Sequence, residues 1–311
     1  MSAWFRRIML ERYGEDMKRI MITGASGQLG HALYRLLKGQ NQYELLWTDA
    51  VANEDGAVHA LDITDDAAVK VYIEKNMPEI IINCAAYTAV DQCESQEDKA
   101  YQINALGPKN LAIAAESTNA KLIHVSTDYV FDGKTFEPYV EYSPTSPISA
   151  YGRTKQAGDV FVRANCSKFF ILRTAWVYGE GKNFVKTMLR LAQTNNKVRV
   201  VADQYGTPTS ALELARAIIF LMETDSYGIY HATCEGSTTW YEFAKTIFQT
   251  EGIDIVVEPI TTSDYPTPAK RPMYSILDNK AFRERHNYYM KDWKEAFEEF
   301  MLQEHQAGRI S

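Results

Sequence analysis

The sequence has little that could hold it together by covalent or metal chemistry. Its four cysteines, Cys84, Cys93, Cys166 and Cys234, include no CxxC pair. That spacing argues against a zinc ligand set or a disulfide framework, and no metal site is expected. The chain lacks any apolar run of the roughly 18 residues a membrane span needs, and its mean hydropathy is -0.31. It also lacks a positive balance: 33 basic residues face 40 acidic ones, for a net charge of -7. Such a chain has no long-range attraction for nucleic acid or anionic lipid, so any phosphate it binds is held locally. Arg6, Arg7, Glu11 and Arg12 interrupt what a secretory leader needs as a continuous apolar stretch, so a reducing cytoplasm is the expected location. There are no repeats and no low-complexity segments.

What remains is a globular composition, 46% hydrophobic and 23% charged over 311 residues, enough for one large core with a smaller appended lobe. Residues 1–16 are expected to be an N-terminal extension, a mis-assigned start or a frayed arm, ahead of a more natural beginning at Met17. Residues 17–202 alternate short β-branched runs with helical periods. The predicted strands are Arg19 to Thr23, Tyr43 to Thr48, Ile80 to Cys84, Lys121 to Ser126, Phe169 to Arg173 and Val198 to Val201. Helices are predicted at Gln28 to Lys38, Asp65 to Lys75, Asp98 to Thr118, Tyr151 to Ala164 and Phe184 to Ala192. Strand, helix, strand repeated this way predicts an α/β fold, a doubly wound parallel sheet of Rossmann type. Residues 203–311 change rhythm, with helices at Ala211 to Met222, Thr239 to Gln249 and Lys291 to Glu304 around the proline-punctuated Tyr265–Pro272. They are expected to be mainly a substrate-binding lobe, with segments interleaved between the two parts. Trp293, Phe297 and Met301 lie on one side of the last helix, a stripe that reads as packing.

The first motif with chemistry is Thr23-Gly24-Ala-Ser-Gly27-Gln28-Leu29-Gly30, between the first strand and the first helix. Glycines there permit a tight turn, let backbone N–H groups approach a pyrophosphate and bring the helix close to the sheet. Asp49 closes the second strand, where a carboxylate can accept from an adenosine ribose 2′-hydroxyl and would repel a 2′-phosphate, which favours NADH. Leu61-Asp62-Ile63 is placed to flank the adenine, and the small residues of Asn83-Cys84-Ala85-Ala86-Tyr87 leave room for the rest of a dinucleotide.

The second motif is Ser126-Thr127-Asp128-Tyr129 at a strand end, followed by Tyr151-Gly-Arg-Thr-Lys155 opening a helix. Residues one turn apart share a helix face, so the Lys155 ammonium can stand beside the Tyr151 phenol and lower its pKa from about 10. With the Thr127 hydroxyl, two donors can then address one carbonyl oxygen as it gains charge from a hydride.

These residues, with STDYVFDG at 126–133 and YGRTK at 151–155, resemble the extended short-chain dehydrogenase/reductases. More narrowly, they are similar to the dTDP-4-dehydrorhamnose reductase family. The narrower likeness rests on Thr88 to Glu94, Arg173 to Gly179 with Asn183-Phe184, Asp203 to Thr209 and Tyr265 to Pro272. The resemblance runs from about Lys18 to the final helix. It implies reduction of the 4-keto group of a dTDP-6-deoxyhexulose to dTDP-L-rhamnose by NADPH or NADH. It further implies Tyr151 as proton donor, Lys155 on the nicotinamide ribose and Thr127 on the keto oxygen. Asp128 and Trp176 would contact the sugar, and Asn183 and Arg271 the nucleotide diphosphate. Some members are thought to dimerise through magnesium held by acidic residues. Here Ala32 and Leu33 occupy that helix, so a monomer or weak, metal-free homodimer is expected. Two other readings share the motifs: a nucleotide-sugar epimerase or dehydratase, and a non-catalytic NADP-binding subunit like the regulator of methionine adenosyltransferase.

Overall fold

Ile20, Met21 and Ile22 are all fully buried, yet they serve two cores. Ile20 and Ile22 pack with Leu33, Leu214 and Ile218 on one face, and Met21 packs with Val69, Ile73 and Leu111 on the other. A strand covered on both faces needs an unbroken apolar run, and it gets one because helices lie on either side of a parallel sheet. The computed structural model describes residues 17–53 and 56–310, and the extension expected at residues 1–16 lies outside the described residues. Seven parallel strands form the sheet in the order Gly228–His231, Phe169–Thr174, Lys121–Thr127, Ile80–Asn83, Lys18–Thr23, Tyr43–Asp49 and His59–Ala60. The order reverses between Lys18–Thr23 and Ile80–Asn83, which puts a crevice at their carboxyl ends.

Two expectations need correction. The strand read at Val198 to Val201 forms, as Lys197–Val201, but pairs with Val256–Ile260 outside the main sheet. Its outward Lys197 and Arg199 alternate with buried Val198 and Val200, the mark of a strand with one wet face. The place beside Phe169–Thr174 is taken by Gly228–His231, a strand the sequence reading did not pick out. Finally, the helix read from Asp98 to Thr118 is not continuous. Glu97–Tyr101 passes into a π segment, Gln102–Leu106, before Gly107–Thr118. Pro108 lacks the N–H that would bond the Asn104 carbonyl one turn back, and the helix widens there.

A third core, around Tyr178, Val198, Phe243 and Phe297, holds the C-terminal elements together. Trp293, Phe297 and Met301 are buried in it, as packing residues. All four cysteines are free thiols. Among the described residues, no helix is long and apolar enough to cross a membrane, and no group of three or more His, Cys, Asp or Glu side chains is placed to hold a metal.

Candidate active site

The crevice opens into a cleft of about 1330 Å³ that runs from Asp49 and Ile63, past Thr127 and Tyr151, to Trp176 and Trp240. At its first end, Gly24 takes φ +64, and a Cβ there would fall 2.6 Å from the Ala85 nitrogen. At Gly30 a Cβ would fall 2.3 Å from the Ala25 carbonyl oxygen, so the turn and the helix both require glycine at these positions. The following helix, Gln28–Leu37, begins at Gly27 with no side-chain cap and no acidic residue in its first turn. Its first N–H groups and its partial positive charge are therefore left for an anion, and Gly27, Gln28, Leu29 and Gly30 all line the cleft. That donor set fits a dinucleotide pyrophosphate.

Asp49 lines the same end, but part of its carboxylate is already used: Oδ2 accepts from the Ser26 N–H at 2.9 Å and Oδ1 from the Ala50 N–H at 2.7 Å. Asp62 lines it too, accepting from the N–H and hydroxyl of Thr64, both at 2.9 Å, in a turn that leads into Asp66–Asn76. Ala85 and Ala86 line the cleft. Tyr87 does not. Its hydroxyl lies within hydrogen-bond distance of the Gln92 and Gln96 side chains, and its backbone is tied in both directions to Asn104 of the π segment.

At the centre, Ser149 caps the helix Ala150–Asn165 by accepting from the Gly152 N–H at 3.1 Å, which sets Tyr151 in the first turn. Gly152 is needed because a Cβ there would fall 2.2 Å from the Tyr129 carbonyl oxygen. This close packing brings Tyr151 to Thr127. Burial pushes the Tyr151 phenol above its ordinary range, with the Thr127 hydroxyl pulling the other way. The lowering expected from Lys155 is not what this environment produces. The Lys155 ammonium, 1% exposed, instead donates to the Val125 carbonyl at 2.7 Å. Burial brings its pKa down to about 8, opposed by Asp159 and Cys84. The Thr127 hydroxyl donates to Asp128 Oδ1 at 2.9 Å. Asp128 is 2% exposed, and burial drives its carboxyl up to about 6.

At the far end, Trp176 sits at φ +48, an uncommon conformation for an aromatic residue. One face of its indole is stacked on Trp240 and its edge lies against Gly206, where a Cβ would fall 2.4 Å from the ring. Asn183 lines the cleft, but its side chain caps the helix Phe184–Ala192: Oδ1 accepts from the Lys186 N–H at 3.0 Å and Nδ2 donates to the Gly179 carbonyl at 2.6 Å. Arg271 does not line the cleft. It pairs with Asp91 at 2.9 Å, and Asp91 also accepts from the Ala269 N–H, so the pair clamps the proline-rich loop to the segment before Glu94. Besides Lys155, the cations that line the cleft are Lys99 and Lys182. The sequence reading missed both, as it missed Trp240, because none stands in a motif of its own.

Residues 17–306 match the family described as the RmlD substrate binding domain. The chain belongs to that family. Among its relatives, the dTDP-4-dehydrorhamnose reductase of Aggregatibacter actinomycetemcomitans is 42% identical over 293 residues, covering 90% of this chain and 97% of the relative. A crystal structure of a dTDP-4-dehydrorhamnose reductase from Clostridium acetobutylicum superposes with a TM-score of 0.87 at 48% identity, covering 92% of this chain and 99% of that one. The Bacillus anthracis enzyme of the same name, solved in complex with NADP, superposes with a TM-score of 0.87 at 40% identity and the same coverage. Family members therefore align along both the glycine-turn half and the Trp176 half of the cleft.

Proposed function

We propose that the protein reduces the 4-keto group of dTDP-4-dehydro-6-deoxy-L-mannose to give dTDP-L-rhamnose, using NADPH or NADH. The observation that carries this is the arrangement within one cleft: an uncapped helix N-terminus at one end, an indole pair at the other, and Thr127, Tyr151 and Lys155 between them. Membership of the RmlD family over nearly the whole chain supports the same reading.

The glycine turn and the first N–H groups of Gln28–Leu37 would hold the pyrophosphate, Asp49 the adenosine ribose and Lys155 the nicotinamide ribose. When bound, the reduced nicotinamide supplies a hydride. Carbon 4 of the sugar accepts that hydride with its electron pair, the carbon–oxygen π bond breaks, and the oxygen takes a proton from the Tyr151 phenol. The raised pKa of Tyr151 suits this direction, because an acid must carry its proton until the oxyanion forms. Thr127 turns its hydroxyl from Asp128 to the developing oxyanion. Asp128 and Trp176 contact the sugar. Lys182 is better placed for the diphosphate than Arg271. The enzyme works as a monomer or weak homodimer, without a metal.

The test is the absorbance of the reduced nicotinamide with purified protein, after the ketosugar is made in place from dTDP-glucose by a dehydratase and then an epimerase. A fall that waits for the epimerase supports the L-sugar, and a fall after the dehydratase alone assigns the D-sugar ketone instead. No fall with either cofactor, while dinucleotide still binds, moves the assignment to an epimerase or a regulatory subunit.

A further inference from the structure

The helix that carries Tyr151 and Lys155 carries another buried titratable group one turn beyond Lys155. Asp159 is 3% exposed and takes no part in the reaction above. It is gripped from the strands beneath: Arg173 Nε donates to its Oδ2 at 3.3 Å, and His124 Nε2 stands 3.8 Å from its Oδ1. Ser126 faces it without closing a hydrogen bond.

A buried ammonium is costly unless an opposite charge compensates it. The groups around Lys155 can be taken element by element. The Val125 carbonyl, which accepts its hydrogen bond, is neutral. Cys84, at the end of Ile80–Asn83, has its thiol pushed up to about 12 and is neutral. His124, in Lys121–Thr127, is pushed well below its ordinary range by burial and by Lys155 itself, and is neutral. Tyr151, on the same helix, is pushed up and keeps its proton. Arg173, in Phe169–Thr174, is a second cation. Among the described residues, Asp159, one turn further along the same helix Ala150–Asn165, is the anion that bears on Lys155. Burial raises its carboxyl, while Arg173, Ser126 and Lys155 favour its charged form.

We propose that Asp159 is a positioning residue for this reaction: it is the counter-ion that keeps Lys155 an ammonium beneath the cleft, and Arg173, by sharing the carboxylate, limits that hold. The inference rests on the reading of Lys155 as the residue that meets the nicotinamide ribose. Burial already brings this lysine down to about 8, so removing the carboxylate charge moves the loss of its proton down toward neutrality.

The experiment follows NADH and NADPH binding by fluorescence from mildly acid to alkaline pH in the wild type, Asp159→Asn, Asp159→Glu and Arg173→Gln. Wild-type affinity is expected to fall as pH rises through about 8. In Asp159→Asn the midpoint drops by roughly one unit, so that binding weakens about fivefold at pH 8 and about twofold at pH 7, and recovers in mild acid. Asp159→Glu stays close to the wild type, and Arg173→Gln moves the midpoint upward. A wild-type affinity flat in pH, an unmoved midpoint in Asp159→Asn, or an equal loss at every pH overturns the proposal. Should Asp159→Asn not fold, an unmoved midpoint in Arg173→Gln does the same. No sugar is used, so failure of the ketosugar reading shows separately, as cofactor binding without turnover.

Discussion

The indoles of Trp176 and Trp240 lie face to face, their ring centroids 3.5 Å apart and their planes within 9°. Trp176 holds φ +48 in this arrangement, and Trp240 is in turn backed by Phe184 at 4.6 Å. The wall at that end of the cleft is thus a stack of rings. An aromatic pair is worth about 0.5–1.5 kcal/mol beyond its buried area, or roughly 2- to 12-fold in an equilibrium. Trp240→Ala is expected to raise KM for the sugar nucleotide by that factor and leave KM for the cofactor unchanged. Steady-state kinetics with each substrate varied in turn checks it, and an unmoved sugar KM would remove Trp240 from the site.

Tyr151→Phe removes the proton and leaves the ring against Tyr129, whose centroid is 5.4 Å away. Turnover is expected to fall by roughly 10²–10⁴ with cofactor affinity nearly intact. Fluorescence titration of the reduced cofactor alongside turnover separates the two effects. Wild-type turnover in the variant would end the assignment of Tyr151 as acid.

Asp49→Ala removes the carboxylate expected to meet the adenosine ribose, along with its bonds to the Ser26 and Ala50 N–H groups. The ratio of kcat/KM for NADPH over that for NADH is expected to rise, because the charge that repels a 2′-phosphate is gone. An unchanged ratio would show that Asp49 serves only to order the turn.

Asp128 titrates at about 6 in the folded protein, against an ordinary 3.8. The fold therefore holds this proton more tightly than the unfolded chain does, and stability declines as pH rises from about 4 to 6. Asp128→Asn should remove that penalty, stabilising the protein at neutral pH by on the order of 1–3 kcal/mol and hardly at all near pH 4. Urea unfolding at the two pH values measures this, and an equal change at both would contradict it.

The elements that read correctly from sequence are those with one dominant local cause. Phe184–Ala192 and Ala211–Met222 have the expected bounds, because Asn183 and Ser210 cap their first turns and an apolar period fills the rest. The glycine turn was legible because Gly24 and Gly30 answer to backbone close approach. Other features depend on partners far away in sequence. Arg271 carries a charge suited to phosphate, yet Asp91 claims it, and nothing local announces that pair. Lys197–Val201 did carry a usable sign, since its alternation of charged and apolar residues belongs to a half-exposed strand. The break at Pro108 was also visible, in a proline standing inside a helical period.

The strand Gly228–His231, which closes the sheet beside Phe169–Thr174, also bears on how the protein is made. During synthesis the other six strands leave the ribosome before it does, and until it arrives Phe169–Thr174 offers a bare edge able to pair with another nascent chain. A premature stop or a proteolytic cut ahead of His231 would therefore yield a sticky fragment. Splitting the protein for complementation assays calls for a break after this strand.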